Sequence, residues 1–332
     1  MTYPQDLRAA WEAHLAPKAL DAPTVISTFA GAGGSSLGYS MAGFRELLAV
    51  EIDKVPVATF RLNFPGVPVY HGDIADLSVE ECMQLAGLNG PKELSVLDGS
   101  PPCQGFSPAG KRHLNDPRNK LAWEFIRLLR GLQPAAFVME NVPGLITGKM
   151  YLVFAEIMRE LKSSGYRVSA RLVNMAYFRV PQNRKRVIFI GVREDLGKDP
   201  THPKPERVPY VLREVLDGDY RLKQAQAETP ESAIKHWHQC RPGEYNKDRF
   251  SLNRGYWSGV PRTVMSEAGS SGHMHPDIPR MLTVGEVQRI QSFPDPFDFV
   301  GSWRQGIHCI GNSVPPMFMR AVAEHLRRQY LP

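Results

Sequence analysis

Long apolar runs are missing from this 332-residue chain. None approaches the roughly 18 consecutive apolar residues that a membrane-spanning helix requires, so the sequence predicts no membrane anchor. The opening stretch MTYPQDLRAAWEAHLAPKALDAPT mixes acids through its length and has no apolar segment before a small-residue cleavage site. That excludes a secretory leader and predicts a cytosolic protein. Cysteine is scarce: Cys82, Cys103, Cys240 and Cys309 stand far apart with no C-x-x-C pair, which argues against a disulfide framework and a four-thiolate zinc site. His236, His238 and Cys240, or His273 and His275, match no common zinc spacing, so no metal site is expected. Internal repeats and low-complexity tracts are also absent.

Charge of one sign is missing locally. Lys plus Arg exceeds Asp plus Glu by only 40 − 34 = 6, yet residues 162–193 hold eight basic residues and no acid. Such a stretch is either a solvated basic surface or a face that meets a polyanion, and net charge alone does not decide between them.

What is present in the first half is an alternation of strand and helix. Residues 24–29, 47–51, 67–70, 95–97 and 136–139 read as strands. Residues 55–62 and 119–132 read as helices between them. Alternation of this kind implies βαβ units and hence an α/β fold with a parallel sheet. Residues 197–280 break the pattern with many prolines and glycines, and helical periodicity returns at 283–292 and 315–328. A short helix is expected near residues 6–20, covering the sheet edge.

The turn STFAGAGGSSLGYSMAGF follows the first strand and opens a helix, but it departs from the dinucleotide fingerprint. Counting from Gly31 and Gly33, the third glycine of G-x-G-x-x-G should fall at position 36, where Ser36 stands. Glu51 ends the second strand, where a carboxylate can accept from two ribose hydroxyls, and a nucleoside cofactor without a pyrophosphate suits this arrangement better than NAD. In DGSPPCQGFS, Cys103 sits behind two prolines in a loop. A lone cysteine is more often a small buried hydrophobe than a nucleophile.

The combination reverses that reading for Cys103. FAGAGG, PPCQGFS, Glu140-Asn141-Val142, Gln182-Asn183-Arg184-Lys185-Arg186 and Gly311-Asn312-Ser313-Val314-Pro315 occur in the order and near the spacing of the bacterial DNA (cytosine-5)-methyltransferases, which the chain resembles over residues 25–326. The segments RMLTVGEVQR with SFP, and Pro261-Arg262-Thr263-Val264, resemble further motifs of that family.

The resemblance implies an S-adenosylmethionine-dependent, Rossmann-like domain with a mixed, mainly parallel sheet over residues 23–198 and 303–332. It also implies a loop-rich target-recognition domain over 199–302 and leaves 1–22 as an extension. Cys103 would add to carbon 6 of a flipped-out cytosine and so activate carbon 5. Glu140 would hold a proton at ring nitrogen 3, and Arg186, with Arg184 beside it, would hold the carbonyl oxygen. Phe29, Gly31, Ala32, Gly33 and Gly34 would wall the cofactor's methionine part, Glu51 would take the ribose and Ile52 would pack on the adenine. Asp73 and Ile74 would read the adenine edge, with Pro102, Leu121, Asn312 and Ser313 closing the site. Gln104, Ser107, Arg241, Lys247, Arg249, Arg254 and Thr263 are the candidates for contact with double-stranded DNA. The family also implies a monomeric modification enzyme of a bacterial restriction system, with a cognate endonuclease as functional partner. The tRNA-methylating branch of the superfamily carries a Cys-Phe-Thr tripeptide that this chain lacks. A catalytically silent relative would have lost Cys103 or Glu140, and both are present.

Overall fold

A computed structural model describes residues 2–102, 120–216, 229–244, 252–266 and 272–331. Helix α1 (Tyr3–Leu15) precedes a βα alternation: β1 (Thr24–Thr28), α2 (Gly34–Met41), β2 (Arg45–Glu51), α3 (Lys54–Asn63), β3 (Val69–His71), α4 (Val79–Ala86), β4 (Val96–Gly99), α5 (Leu121–Leu132) and β5 (Ala136–Asn141). Helix α6 (Tyr151–Ser163), β6 (Tyr166–Asn174) and β7 (Lys185–Arg193) complete a seven-stranded sheet in the order β3-β2-β1-β4-β5-β7-β6. The first five strands in that order pair in parallel, while β7 runs antiparallel to both β5 and β6.

Local chemistry explains several boundaries. Ser78 caps α4 by accepting the Glu81 N–H, acids fill its first turn, and Gly87 ends it in the left-handed conformation. Period-two alternation sorts the strand residues. Val25, Val96, Val138 and Ile188 enter one core, while Ile26, Leu97, Phe137 and Phe189 enter the other. Helices therefore cover both faces.

Strand β5 is longer than its apolar run suggests. It continues through Glu140 and Asn141, which pair with Ile188 and Val187 of β7. Strands β6 and β7 fall inside the basic stretch of residues 162–193; Arg167 and Arg171 of β6 alternate with Tyr166, Val168 and Ala170, which face the helix layer.

Beyond β7 the described elements are α7 (Leu212–Leu216), α8 (Glu231–Gln239) and a parallel pair of short strands, β8 (Leu252–Arg254) and β9 (Gly272–Met274). The chain then forms α9 (Val284–Ile290), α10 (Trp303–Asn312) and α11 (Pro316–Gln329). Cys309 is buried within α10. Helix α1 does not cover a sheet edge: it packs on α2 and reaches α7, because Tyr3, Leu7 and Ala10 are apolar surface that only the helix layer can bury.

Candidate active site

Chain order reverses between β1 and β4, which are neighbours in the sheet although two strands separate them in sequence. Ligands of open α/β sheets bind at the carboxyl ends of the strands flanking such a reversal. Parallel pairing brings the glycine turn after β1, Glu51 at the end of β2, Asp73 beyond β3, Pro101-Pro102 after β4 and Glu140 near the end of β5 to one edge.

The glycine turn is shaped by conformation and by close packing. Phe29 and Gly31 take positive φ angles of 54° and 56°. A Cβ at Gly31 would meet nothing within 4 Å, so the protein leaves open space above that backbone. At Gly34 a Cβ would overlap the Val314 carbonyl oxygen, so α2 begins in direct contact with the segment that follows α10. Ala32 is buried and Gly33 packs on Phe64.

The Glu51 carboxylate accepts the Gly31 N–H at 2.7 Å through one oxygen and the Ile52 and Asp53 N–H groups at 2.8 and 2.9 Å through the other. Burial pushes its pKa up, and these donors oppose the shift. Oε2 keeps a second lone pair, so a ribose hydroxyl can still be accepted there, while both lone pairs of Oε1 are taken. Ile52 stands 58% exposed at this edge, an apolar side chain largely open to solvent. Asp73 accepts the Ala75 N–H, Ile74 is buried, and Pro102 and Leu121 are half-buried. Open space over Gly31, a buried acceptor and a largely exposed aliphatic side chain fit an adenosine-bearing cofactor.

On the neighbouring strand, Glu140 Oε1 and Arg186 Nε lie 2.7 Å apart, with side chains 11% and 14% exposed. Asn141 Nδ2 donates to the Pro101 carbonyl at 3.4 Å, tying the end of β5 to the chain that leads into Cys103. Cys103, Gln104, Ser107, Lys247 and Arg249 lie outside the described residues.

Arg184 stands elsewhere than its pairing with Arg186 in sequence suggests. It is 2% exposed, and its two terminal nitrogens donate to the Val264 and Gly311 carbonyls, each at 3.0 Å. Burial, then the Arg186 charge, lowers its pKa well below the usual guanidinium range. Gln182 works beside it. Its Oε1 accepts the Val264 N–H, and its Nε2 donates to Gln291 Oε1 at 2.6 Å; Gln291 Nε2 in turn donates to the Ser313 carbonyl at 2.6 Å. The backbone of residue 264 is therefore held on both sides by groups that also hold residues 311 and 313. Thr263 joins the same seam, its hydroxyl donating to the Asn183 carbonyl at 2.7 Å. Ser313 is buried, while Asn312 is exposed and contacts His308.

Of the remaining DNA-contact candidates, Arg241 is exposed. Arg254 is committed within its own module: it donates to the Pro276 and Cys240 carbonyls and stacks 3.6 Å over the Trp237 ring. Among the described residues no group of three or more His, Cys, Asp or Glu could hold a metal ion, and no helix is long and apolar enough to cross a membrane.

Two acids escaped sequence reasoning. Asp98, inside β4, is buried and accepts from the Tyr39 hydroxyl at 3.3 Å; burial pushes its pKa to about 7. Burial likewise pushes Glu46, at the start of β2, to about 8, with the Ser27 and Ser36 hydroxyls opposing. The available signal was a charged residue within each apolar strand, VLDG and RELLAVE.

Comparison with known proteins shows the family. The model of the C-5 cytosine-specific DNA methylase family matches residues 23–328. The type II methyltransferase M1.HphI of Haemophilus parahaemolyticus is 36% identical over 327 residues, covering 91% of this chain and 86% of that one. M.XorII of Xanthomonas oryzae is 30% identical over 361 residues, covering 92% and 85%. Among solved structures, a DNA modification methyltransferase encoded within an E. coli prophage is similar with a TM-score of 0.79 at 26% identity, covering 93% of this chain and 99% of that one.

Proposed function

Because the chain belongs to the C-5 cytosine-specific DNA methylase family, we propose that Cys103, Glu140 and Arg186 form the catalytic set of this DNA (cytosine-5)-methyltransferase and act on a cytosine swung out of the duplex. Its methyl donor is S-adenosylmethionine, which supplies an electrophilic methyl group when bound. The Cys103 sulfur forms a bond to carbon 6, and the electron pair moves toward nitrogen 3, where Glu140 holds a proton. Carbon 5 thereby becomes nucleophilic enough to be methylated. Loss of the carbon 5 proton to water then lets the carbon–sulfur bond break and restores the ring. Arg186 holds Glu140 in place and offers its remaining donors to the ring carbonyl oxygen.

The observation that carries this reading is the 2.7 Å Glu140–Arg186 pair at the carboxyl edge, beside the strand that leads to Cys103. Gly31, Glu51, Ile52 and Asp73 would hold the cofactor, and Arg184 would position residues 264 and 311 rather than touch the base. Residues 199–302 would read double-stranded DNA, with Arg241 and Thr263 at its surface. M1.HphI and M.XorII are named type II methyltransferases. By that likeness we assign the chain to the modification side of a bacterial restriction system, acting as a cytoplasmic monomer with a separate endonuclease of the same specificity.

Bisulfite sequencing of plasmid from a methylation-free host expressing the protein tests the reading. One short sequence should carry methylcytosine, and Cys103→Ser should abolish it while duplex and cofactor binding persist. Turnover by that variant at the wild-type rate would remove Cys103 as nucleophile.

A further inference from the structure

Residues 206–216 carry the chain from the catalytic sheet toward β8 and β9, and residues 289–303 carry it back. Helix α1 grips both crossings. The Tyr210 hydroxyl donates to Asp6 Oδ2 at 2.6 Å, and the Tyr3 and Tyr210 rings meet edge-on with centroids 4.7 Å apart. On the returning segment, the Tyr3 hydroxyl donates to the Arg289 carbonyl at 2.5 Å. Arg289 then links the crossings to each other: its guanidinium pairs with Asp295 at 2.7 Å and donates to the Val215 carbonyl at 3.2 Å.

A third anchor comes from the catalytic sheet itself. Arg179, between β6 and β7, pairs with Asp6 at 3.4 Å and with Glu206 at 2.8 Å. The Arg207 guanidinium stacks 3.4 Å over the Tyr210 ring. Asp6 is only 5% exposed, so a carboxylate has been buried where helix, sheet connection and crossing meet. Placing it there costs desolvation that simple cover of an apolar face would not need.

We propose that α1 is a brace that fixes the angle of the recognition module over the catalytic sheet, with Asp6 and Tyr3 as positioning residues for DNA methylation. The inference rests on the reading of residues 199–302 as the DNA-recognition module. A duplex must meet the cytosine pocket and the base-reading surface at one fixed separation. If the crossings were free to hinge, part of the DNA-binding energy would go into closing the cleft, and affinity for DNA would fall without any change in the chemistry.

Steady-state kinetics of the full chain test the brace, once its target sequence is known. Asp6→Ala is expected to raise KM for the cognate duplex about tenfold while kcat and S-adenosylmethionine affinity stay within about twofold, as loss of a charged hydrogen bond predicts. Asp6→Asn, which still accepts the Tyr210 hydroxyl, should recover most of that loss. If Asp6→Ala does not fold, Tyr210→Phe removes a single hydroxyl and is read in the same way. An unchanged KM in folded variant, or a fall in kcat alone, overturns the proposal. Arg241→Ala and Thr263→Ala measured in parallel separate the two readings. A raised KM in those with a normal KM in Asp6→Ala sinks the brace only, whereas no effect in any of them sinks the recognition module as well.

Discussion

Asp98→Asn should make the protein more stable at alkaline pH and leave it nearly unchanged at acid pH. In the folded chain the Asp98 carboxyl has its pKa at about 7, pushed up by burial, against an ordinary 3.8. The unfolded chain therefore releases this proton first as pH rises. Stability is full below the ordinary value and is lost as pH climbs toward 7, at about 1.4 kcal/mol for each tenfold change in proton concentration. From pH 5 to pH 8 the loss is roughly 3 kcal/mol. Glu46, pushed to about 8, adds a slope of the same sign.

Three histidines, His14 half-buried and His202 and His273 buried, work against that slope. His14, His202 and His273 are lowered to about 4, first by burial, so each withdraws stability as pH falls below 6.5. The wild-type profile mixes both effects, and only a difference isolates Asp98. Urea unfolding of wild type and Asp98→Asn at pH 5 and pH 8, without cofactor, supplies it. The variant can still accept from Tyr39, and because pH 5 already lies about one unit above the ordinary value of 3.8, it should lead by roughly 1.5 kcal/mol there. Between pH 5 and pH 8 that lead should grow by roughly 3 kcal/mol. An equal difference at both pH values would show that Asp98 is not held protonated in the fold, and the argument from its burial would fail.

Two glycines of the same region should differ in what they lose, stability at one and cofactor binding at the other. At Gly38 a Cβ would approach Met319 Cβ and the Pro316 carbonyl oxygen at 2.6 Å, so Gly38→Ala should lower unfolding free energy by about 2 kcal/mol despite better helix propensity. Gly31→Ala meets no protein atom and should cost about 1 kcal/mol of backbone strain, yet calorimetry should show S-adenosylmethionine binding much weakened; unaltered binding would place the cofactor elsewhere. Glu140→Gln should slow single-turnover methylation about 10²-fold, and an unchanged rate would move the proton role to another group. Gln291→Met strips the Ser313 carbonyl of its donor and should cost about 1–3 kcal/mol in denaturant unfolding; a neutral result would mean that water replaces the amide.

Legibility in the sequence followed the range of the interaction. The glycine turn, Glu51 and Asp73 could be placed because each sits where a strand ends, and parallel strands share an edge. Arg184 could not: it stands two residues from Arg186, but its partners Val264 and Gly311 lie 80 and 127 positions away. Helix α1 was readable as a helix, whereas its task depends on Tyr210 and Arg289, 204 and 286 positions from their partners. Asp98 and Glu46 were hidden for a different reason. A carboxyl inside an apolar strand looks like an interruption until the hydroxyls of Ser27, Ser36 and Tyr39 are brought against it by packing.

The antiparallel course of β7 is what makes the Glu140–Arg186 pair possible. Glu140 pairs in register with Ile188, and Arg186, two residues away along β7, projects from the same face, so the two side chains meet diagonally across the strands. Arg186 is near the amino end of a nine-residue strand. Were β7 parallel to β5, that end would lie at the opposite edge of the sheet, about 25 Å away at 3.3 Å per residue. The reversed strand is thus the device by which a guanidinium from the second half of the sheet reaches the edge where the first five strands already gather the glycine turn, Glu51, Asp73 and Pro101-Pro102. The run from Gln182 to Arg186 divides its work along the strand's approach. Gln182 and Arg184 turn toward residues 264, 291 and 311, and Arg186 turns toward Glu140. One short segment therefore fixes the seam with residues 264, 291 and 311 and completes the Glu140–Arg186 pair, and on the proposed reading substitutions within it should divide into those that shift DNA affinity and those that shift the chemical step.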